Sequence, residues 1–318
     1  MILTGKEIED YLKLADKVPE VQRKKILKLL ELDRVERSRD SFLFFVKQMW
    51  PVFIEGTHHK IMADAFERVA EGKLKRLIIN MPPRHSKSEF ASYLLPAWFL
   101  GKYPEKKIIQ TAHTAELSVG FGRKVRNLVS SEDYQKIFEL KLSSDSKAAG
   151  RWNTDKGGDY FAIGVGGAVT GKGADLLIID DPHSEQEARQ GNPEVYDSVY
   201  EWYTSGPRQR LQPGGAIIIV MTRWSKRDLT GQILKNSSKD GTDSWEVIEF
   251  PAILPSGKPL WPGFWKKEEL EAIKAELPVP KWEAQYQQNP TSEEGAIIKR
   301  DQWKLWEDDE PPECEYVI

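Results

Sequence analysis

The chain has 318 residues, 40% of them hydrophobic and 30% charged, with a formal net charge of −3. That balance fits a soluble globular protein of one large or two modest domains, and it excludes a chain drawn to nucleic acid by overall charge. A single cysteine, Cys314, excludes a disulfide framework, and neither a bilayer-spanning apolar run nor a zinc-like Cys/His spacing is present.

Thr4-Gly5-Lys6-Glu7 has the form of a capping box and predicts a short helix. Pro19 opens a second predicted helix through about Arg37, with Val21, Ile26, Leu29 and Leu30 on one stripe. Its many Lys and Arg read as a solvated face or as a surface for a partner or DNA. Asp40 is a candidate cap for a third helix, Phe42 to Trp50, stopped by Pro51. Thr57-His58-His59-Lys60 then leads into an amphipathic helix ended by Gly72. In many ATPases the segment just upstream of the phosphate-loop strand contacts adenine, so His58 and His59 are candidates by position. The alternative is that Thr57 caps the helix and leaves both histidines exposed.

Leu77-Ile78-Ile79 predicts a buried strand, and Phe90 to Leu95 begins a helix that runs to Gly101. Between them lies Met81-Pro82-Pro83-Arg84-His85-Ser86-Lys87-Ser88-Glu89. Strand, tight loop, Lys-Ser pair and helix are the parts of a phosphate-binding loop in their usual order. In such a loop the backbone N–H groups cradle phosphates, Lys87 reaches the β/γ oxygens and Ser88 holds Mg²⁺. Pro83, Arg84, His85, Ser86 and Glu89 are the remaining candidates for nucleotide contact. The pattern G-x-x-x-x-G-K-[ST] is met only in part, since Met81 and Ser86 occupy the two glycine positions. A plain surface loop with Lys and Ser at a helix start stands as the alternative.

Lys106 to Ala112 predicts another strand, and Thr114 caps a helix carrying Arg123, Lys124 and Arg126. This alternation predicts βαβ units around a mainly parallel sheet. Arg151 to Thr154 and Tyr160 to Ile163, with Gly157-Gly158 between them, predict a hairpin. The glycine-rich stretch from Gly164 to Gly173 follows. It is suited either to close approach to a phosphate or to a long exit from the hairpin. Leu176 to Ile179, ending in Asp180-Asp181, reads as a buried parallel strand with acids at its carboxyl end, where open α/β sheets place ligands. Acids buried there would bind metal or activate water: Asp180 for Mg²⁺, and Asp181 or Glu185 for the attacking water. The bland alternative is a helix cap. Gly214 to Val220 predicts a further strand, ending in Met221-Thr222-Arg223-Trp224. Thr222 would sense a γ-phosphate, and Arg223 would pair with a phosphate or an acid. Pro251, Pro255, Pro259 and Pro262 mark a linker. Helices return near Lys266 to Glu276 and Lys281 to Gln288.

The loop 82–88, Gly171-Lys172-Gly173-Ala174-Asp175, Leu176 to Pro182, Thr222-Arg223-Trp224 and Trp282 to Pro290 occur in an order and spacing that resembles the large terminase subunit of tailed bacteriophages. That family supplies the ATPase of the DNA-packaging motor. The resemblance implies an α/β P-loop NTPase of the additional-strand type, with a mainly parallel central sheet flanked by helices. It divides the chain into a helical appendage (1–40), an ATPase core (41–250), a linker or lid (251–312) and the start of a truncated RNase H-like nuclease (313–318), so that ATP hydrolysis but no DNA cleavage is expected. By the same resemblance, ATP and Mg²⁺ are held by Lys87, Ser88 and Asp180, and Thr222 couples hydrolysis to movement. Lys172 stands where some relatives carry an arginine finger acting on a neighbouring subunit, with Arg84 as a possible cation in cis. Asp181 stands where many relatives carry glutamate, which keeps Glu185 in play. The implied partners are double-stranded DNA, further copies in a pentameric ring, the portal protein and the small terminase subunit, with no membrane. The implied place is the host cytoplasm, docked on the procapsid portal and absent from the mature virion. A helicase-like nucleic-acid translocase and an inactive nucleotide-binding scaffold are the competing readings.

Overall fold

The computed structural model describes residues 3–186, 194–237 and 243–291. The expected nuclease start at 313–318 and the last part of the expected linker lie outside these residues.

Eight strands form one sheet in the order β3-β4-β5-β2-β6-β7-β1-β8. They are β1 (Arg76–Asn80), β2 (Lys107–Ala112), β3 (Leu142–Lys147), β4 (Arg151–Thr154), β5 (Asp159–Gly164), β6 (Ala174–Asp180), β7 (Leu211–Met221) and β8 (Glu246–Glu249). The six strands from β5 to β8 are mutually parallel, while β3 and β4 add an antiparallel edge. The predicted hairpin is β4–β5, closed through Gly157 at a φ of +90°. β7 separates β1 from β6, as expected of the additional-strand type.

The central strands are apolar on both sides because both faces are covered. Leu77, Ile79, Leu176, Ile178, Ile218 and Val220 face one core. Their alternates Ile78, Leu177, Ile179, Ile217 and Ile219 face the other. The first face packs α3 (Phe42–Met49), α4 (Thr57–Ala70) and α5 (Leu95–Lys102), where Phe42 meets Phe66, Phe90 and Trp98 within 5.7 Å. The second packs Val199 and Tyr203 of the helix Glu194–Ser205, and Leu229 and Ile233 of Leu229–Asn236. Helices α1 (Gly5–Ala15) and α2 (Glu20–Asp40) precede them, and the carboxyl end of α2 is tied down where Trp98 Nε1 donates to the Ser38 carbonyl at 3.0 Å.

Several local expectations are corrected. Ser41, not Asp40, caps α3, and Asp40 is the last residue of α2. Gly56 rather than Thr57 precedes α4, and His58 and His59 are fully buried rather than exposed. The helix after the loop opens with a π-helical turn, Glu89–Leu94, before α5. The last predicted helix lies earlier, at Val279–Gln285 rather than Lys281 to Gln288. β3 and β8 have no counterpart in the sequence-based reading: both are edge strands, with one neighbour each and no continuous apolar run.

The segment after β8 folds back on the core. Phe250 and Leu260 join the first core, while Ala252, Leu270 and Trp282 form a small cluster of their own.

Candidate active site at the carboxyl edge of the sheet

β1, β7 and β6 are adjacent, and their carboxyl ends lie level: Asn80 pairs with Met221, and Asp180 with Val220. The ladders run one residue further, with Met81 N–H donating to the Met221 carbonyl at 3.0 Å and Asp181 N–H to the Val220 carbonyl at 2.9 Å. Three loops therefore leave the sheet side by side, carrying Lys87-Ser88, Asp180-Asp181 and Thr222.

The side chains meet. Ser88 Oγ donates to Asp180 Oδ1 at 3.0 Å, and Lys87 Nζ lies 2.8 Å from Asp181 Oδ2. Lys87 Nζ also donates to Thr222 Oγ1 at 3.1 Å, and Thr222 Oγ1 donates to the Met81 carbonyl at 3.1 Å. Asp181 Oδ1 accepts the Thr222 backbone N–H at 2.8 Å. Asp181 is left-handed, with φ +39°, a conformation that short acidic side chains tolerate better than most. Burial and the Asp181 carboxylate push the Asp180 carboxyl up to about 7, with Lys87, Ser92 and Ser88 pulling the other way.

Sequence reasoning missed Ser92. Its Oγ donates to the second Asp180 oxygen at 2.7 Å and accepts from Gln110 Nε2 at 2.9 Å, so both carboxylate oxygens are served. Its signal is its place four residues after Ser88, one helical turn along the same face.

The donor set suits Mg²⁺. Ser88 Oγ and the Asp180 carboxylate are adjacent hard oxygen donors, and Mg²⁺ in nucleotide sites takes one or two protein oxygens with water and phosphate for the rest.

The loop is built on left-handed turns at Arg84 (φ +60°) and Ser86 (φ +67°). Arg84 is exposed and Pro83 half-buried, while Glu89 accepts from Lys124 Nζ at 2.9 Å. His85 is buried, and its Nδ1 meets the Pro83 carbonyl at 2.8 Å. His58, His59 and His85 cluster under Trp261 and Trp265. His58 and His59 rings lie 3.8 Å apart, and His85 stacks on Trp265 at 6.0 Å. Burial, and then His85, hold His58 down at about 3. Burial and the neighbouring histidines hold His59 at about 2, and burial holds His85 at about 4. All three are neutral. His58, at 0% exposure, offers no free face to an incoming base in this conformation.

Two candidates lie apart from the cluster. Glu185 is exposed, at the start of a helical stretch four residues beyond Asp181. Lys172 pairs with Asp159 at 2.8 Å and sits 5.1 Å above the Phe161 ring. Asp159 pairs in register with Lys107 at the amino end of β2, whereas Asp180 pairs with Ala112 at its carboxyl end. About 16 Å of strand separates those ends, so Lys172 is not brought together with its own chain's loop. Arg223 takes the acid rather than a free position: its Nε donates to Asp228 Oδ2 at 2.9 Å, and its backbone N–H donates to Gln288 Oε1 at 3.2 Å. The Thr-Arg-Trp and Tyr-Gln-Gln-Asn segments are thus in contact.

No family model matches the sequence, and no curated protein matches it. Among solved structures, the chain is similar to the large terminase of bacteriophage HK97, at 13% identity and a TM-score of 0.49 over 74% of this chain and 51% of that one. It is also similar to a mutant of the large terminase ATPase domain of Thermus phage P74-26, at 13% identity and a TM-score of 0.48 over 77% and 97%. A third is the large terminase of a thermophilic bacteriophage in complex with ADP, at 10% identity and a TM-score of 0.43 over 69% and 51%. The chain spans about half the length of the first and third of these proteins.

Proposed function

We propose that this chain is an ATPase that drives movement of double-stranded DNA. The observation that carries the hydrolytic half is the meeting of Lys87, Ser88, Asp180, Asp181 and Thr222 across three adjacent strand ends. The spatial order is that of phosphoryl transfer: a cation for the phosphates, an oxygen pair for a divalent ion, and an acid for water.

In this reading ATP enters over the loop, and the N–H groups that follow Ser86 face its phosphates at the start of the helix. Lys87 leaves Asp181 for the β/γ oxygens. Asp181, released, accepts a proton from the water that attacks the γ-phosphorus, and the bond to the β–γ bridging oxygen breaks to give ADP and phosphate. Glu185 is the alternative acid for that proton. Mg²⁺ held by Ser88 and Asp180 would neutralise charge on the β- and γ-oxygens. Arg84, exposed on the loop, is the cation available in cis, and a cation so placed is worth roughly 10³-fold or more in rate. Lys172 would act only in trans, by presenting the opposite edge of the sheet to a neighbour's loop. Thr222, bonded to Lys87 and to the Met81 carbonyl, is placed to report loss of the γ-phosphate to β7.

The finer reading is a packaging motor: a pentameric ring on the portal, fed by the small terminase subunit, moving viral DNA into a procapsid in the host cytoplasm. The order of motifs supports it, and the basic run Arg123, Lys124 and Arg126, in which Lys124 pairs with Glu89, offers charge for backbone phosphates without reading sequence. Phosphate release is the test. Wild type with Mg²⁺ and duplex DNA should release phosphate, and Lys87→Ala should not. Equal release from both proteins would end the reading.

A further inference from the structure

Ser86 holds φ at +67° where the phosphate-loop pattern carries glycine. A side chain in that region costs about 1–2 kcal/mol that glycine avoids. Something must hold the turn, and the contacts of Ser86 show what. Its Oγ meets His59 Nε2 and donates to the His85 carbonyl. His59 comes from α4, twenty-seven residues earlier in the chain. His59 Nδ1 accepts the Gly56 backbone N–H at 2.8 Å, so the ring proton resides on Nε2 and points at the serine. The ring itself is fixed: fully buried, stacked on Phe90 at 4.8 Å and met edge-on by Phe53 and Trp261. Gly56 is needed as it stands, since a Cβ there would fall 2.7 Å from His58 Cε1 and 2.9 Å from Trp261 Cδ1.

We propose that His59 is a positioning residue for the phosphate loop: its Nε2–H clamps the Ser86 hydroxyl and holds the left-handed turn that glycine would adopt unaided. The clamp deepens the nucleotide-binding reading and rests on it. It works through Ser86 on the N–H groups and on Lys87, and touches no phosphate itself. It also gives a reason for serine here: its hydroxyl lies within hydrogen-bonding reach of the histidine.

The test is equilibrium binding of the non-hydrolysable β,γ-imido analogue of ATP with Mg²⁺, alongside thermal unfolding. Ser86→Ala keeps the strain and loses the clamp, and leaves the core untouched. It should bind roughly tenfold more weakly than Ser86→Gly, which sheds both. His59→Ala should also lose roughly tenfold, and His59→Gln, which keeps an N–H near the Nε2 position, should regain most of it. Adding Ser86→Gly to His59→Ala should restore affinity, a rescue that a purely space-filling histidine would not allow. Equal binding by Ser86→Ala and Ser86→Gly, or no rescue in the double variant, overturns the clamp. Melting temperatures separate this from failure of the nucleotide reading itself. If wild type binds no nucleotide, Ser86→Gly should still raise the melting temperature more in His59→Ala than in wild type. Equal increments would sink the clamp on stability alone.

Discussion

Lys87 Nζ lies 2.8 Å from Asp181 Oδ2, so the cation proposed for phosphate and the acid proposed for water hold each other. Neither can do its work until the pair opens, and a triphosphate is the natural competitor for the lysine. Asp181→Asn should therefore lower the rate of phosphate release by roughly 10²–10⁴-fold while leaving analogue affinity equal or tighter. Glu185→Gln should change the rate little. Single-turnover kinetics and equilibrium binding on both variants check this. A full rate in Asp181→Asn with a lost rate in Glu185→Gln would transfer the role to Glu185.

Ser92 sits in the π-helical turn after the loop rather than in the loop itself, yet its hydroxyl donates to one of the two Asp180 oxygens. Ser92→Ala removes that donor, leaves one buried Asp180 oxygen without it, and leaves the Gln110 amide with only the Thr111 carbonyl at 3.4 Å. A cost of about 1–3 kcal/mol follows from leaving a buried polar group unpaired. Urea unfolding reads the cost, and a higher Mg²⁺ requirement for phosphate release is expected with it.

The three neutral histidines make the fold acid-sensitive. Their folded values, about 3, 2 and 4, lie below the ordinary 6.5. Unfolding therefore takes up protons as pH falls below about 6.5, and stability drops toward pH 4 by about 1.4 kcal/mol per unit for each histidine. Asp180 works the other way: its raised carboxyl binds a proton in the folded state first, offsetting about one of the three. A net loss of stability is therefore expected between pH 6 and 5, on the order of 2–3 kcal/mol per pH unit. Urea midpoints at pH 7, 6 and 5 measure it. His58→Asn should flatten the slope by about one proton.

Arg223 and Asp228 form a buried ion pair, and Asp228 also caps the helix Leu229–Asn236 through the Gly231 N–H at 3.0 Å. Asp228→Ala leaves a buried guanidinium short of its partner and should cost about 3–5 kcal/mol. Asp228→Asn, which keeps the cap, should cost less. Denaturant unfolding of both variants separates the two parts.

The strands and the meeting of loop and acids were legible because buried parallel strands write themselves as apolar runs and put their functional residues at one end. Ile78, Ile179 and Ile219 each announce such a run, and the Lys-Ser and Asp-Asp pairs follow or end two of them. The edge strands were not legible: Glu246 to Glu249 is short, carries an acid at each end and pairs with β1 alone. The place of Lys172 was open to the same reasoning, since a residue two positions before a parallel strand must lie at its amino end. The clamp on Ser86 was out of reach, because a contact between a helix and a loop has no period in the chain.

β7 is hydrogen-bonded to β1 on one side and to β6 on the other along nearly their whole lengths. The half of the molecule that would grip phosphate cannot drift from the half that would supply the acid without unzipping a ladder. If the proposed ATPase does drive movement, that movement would be carried by what lies past the strand ends, so stiffening the loops, rather than the sheet, would stop it.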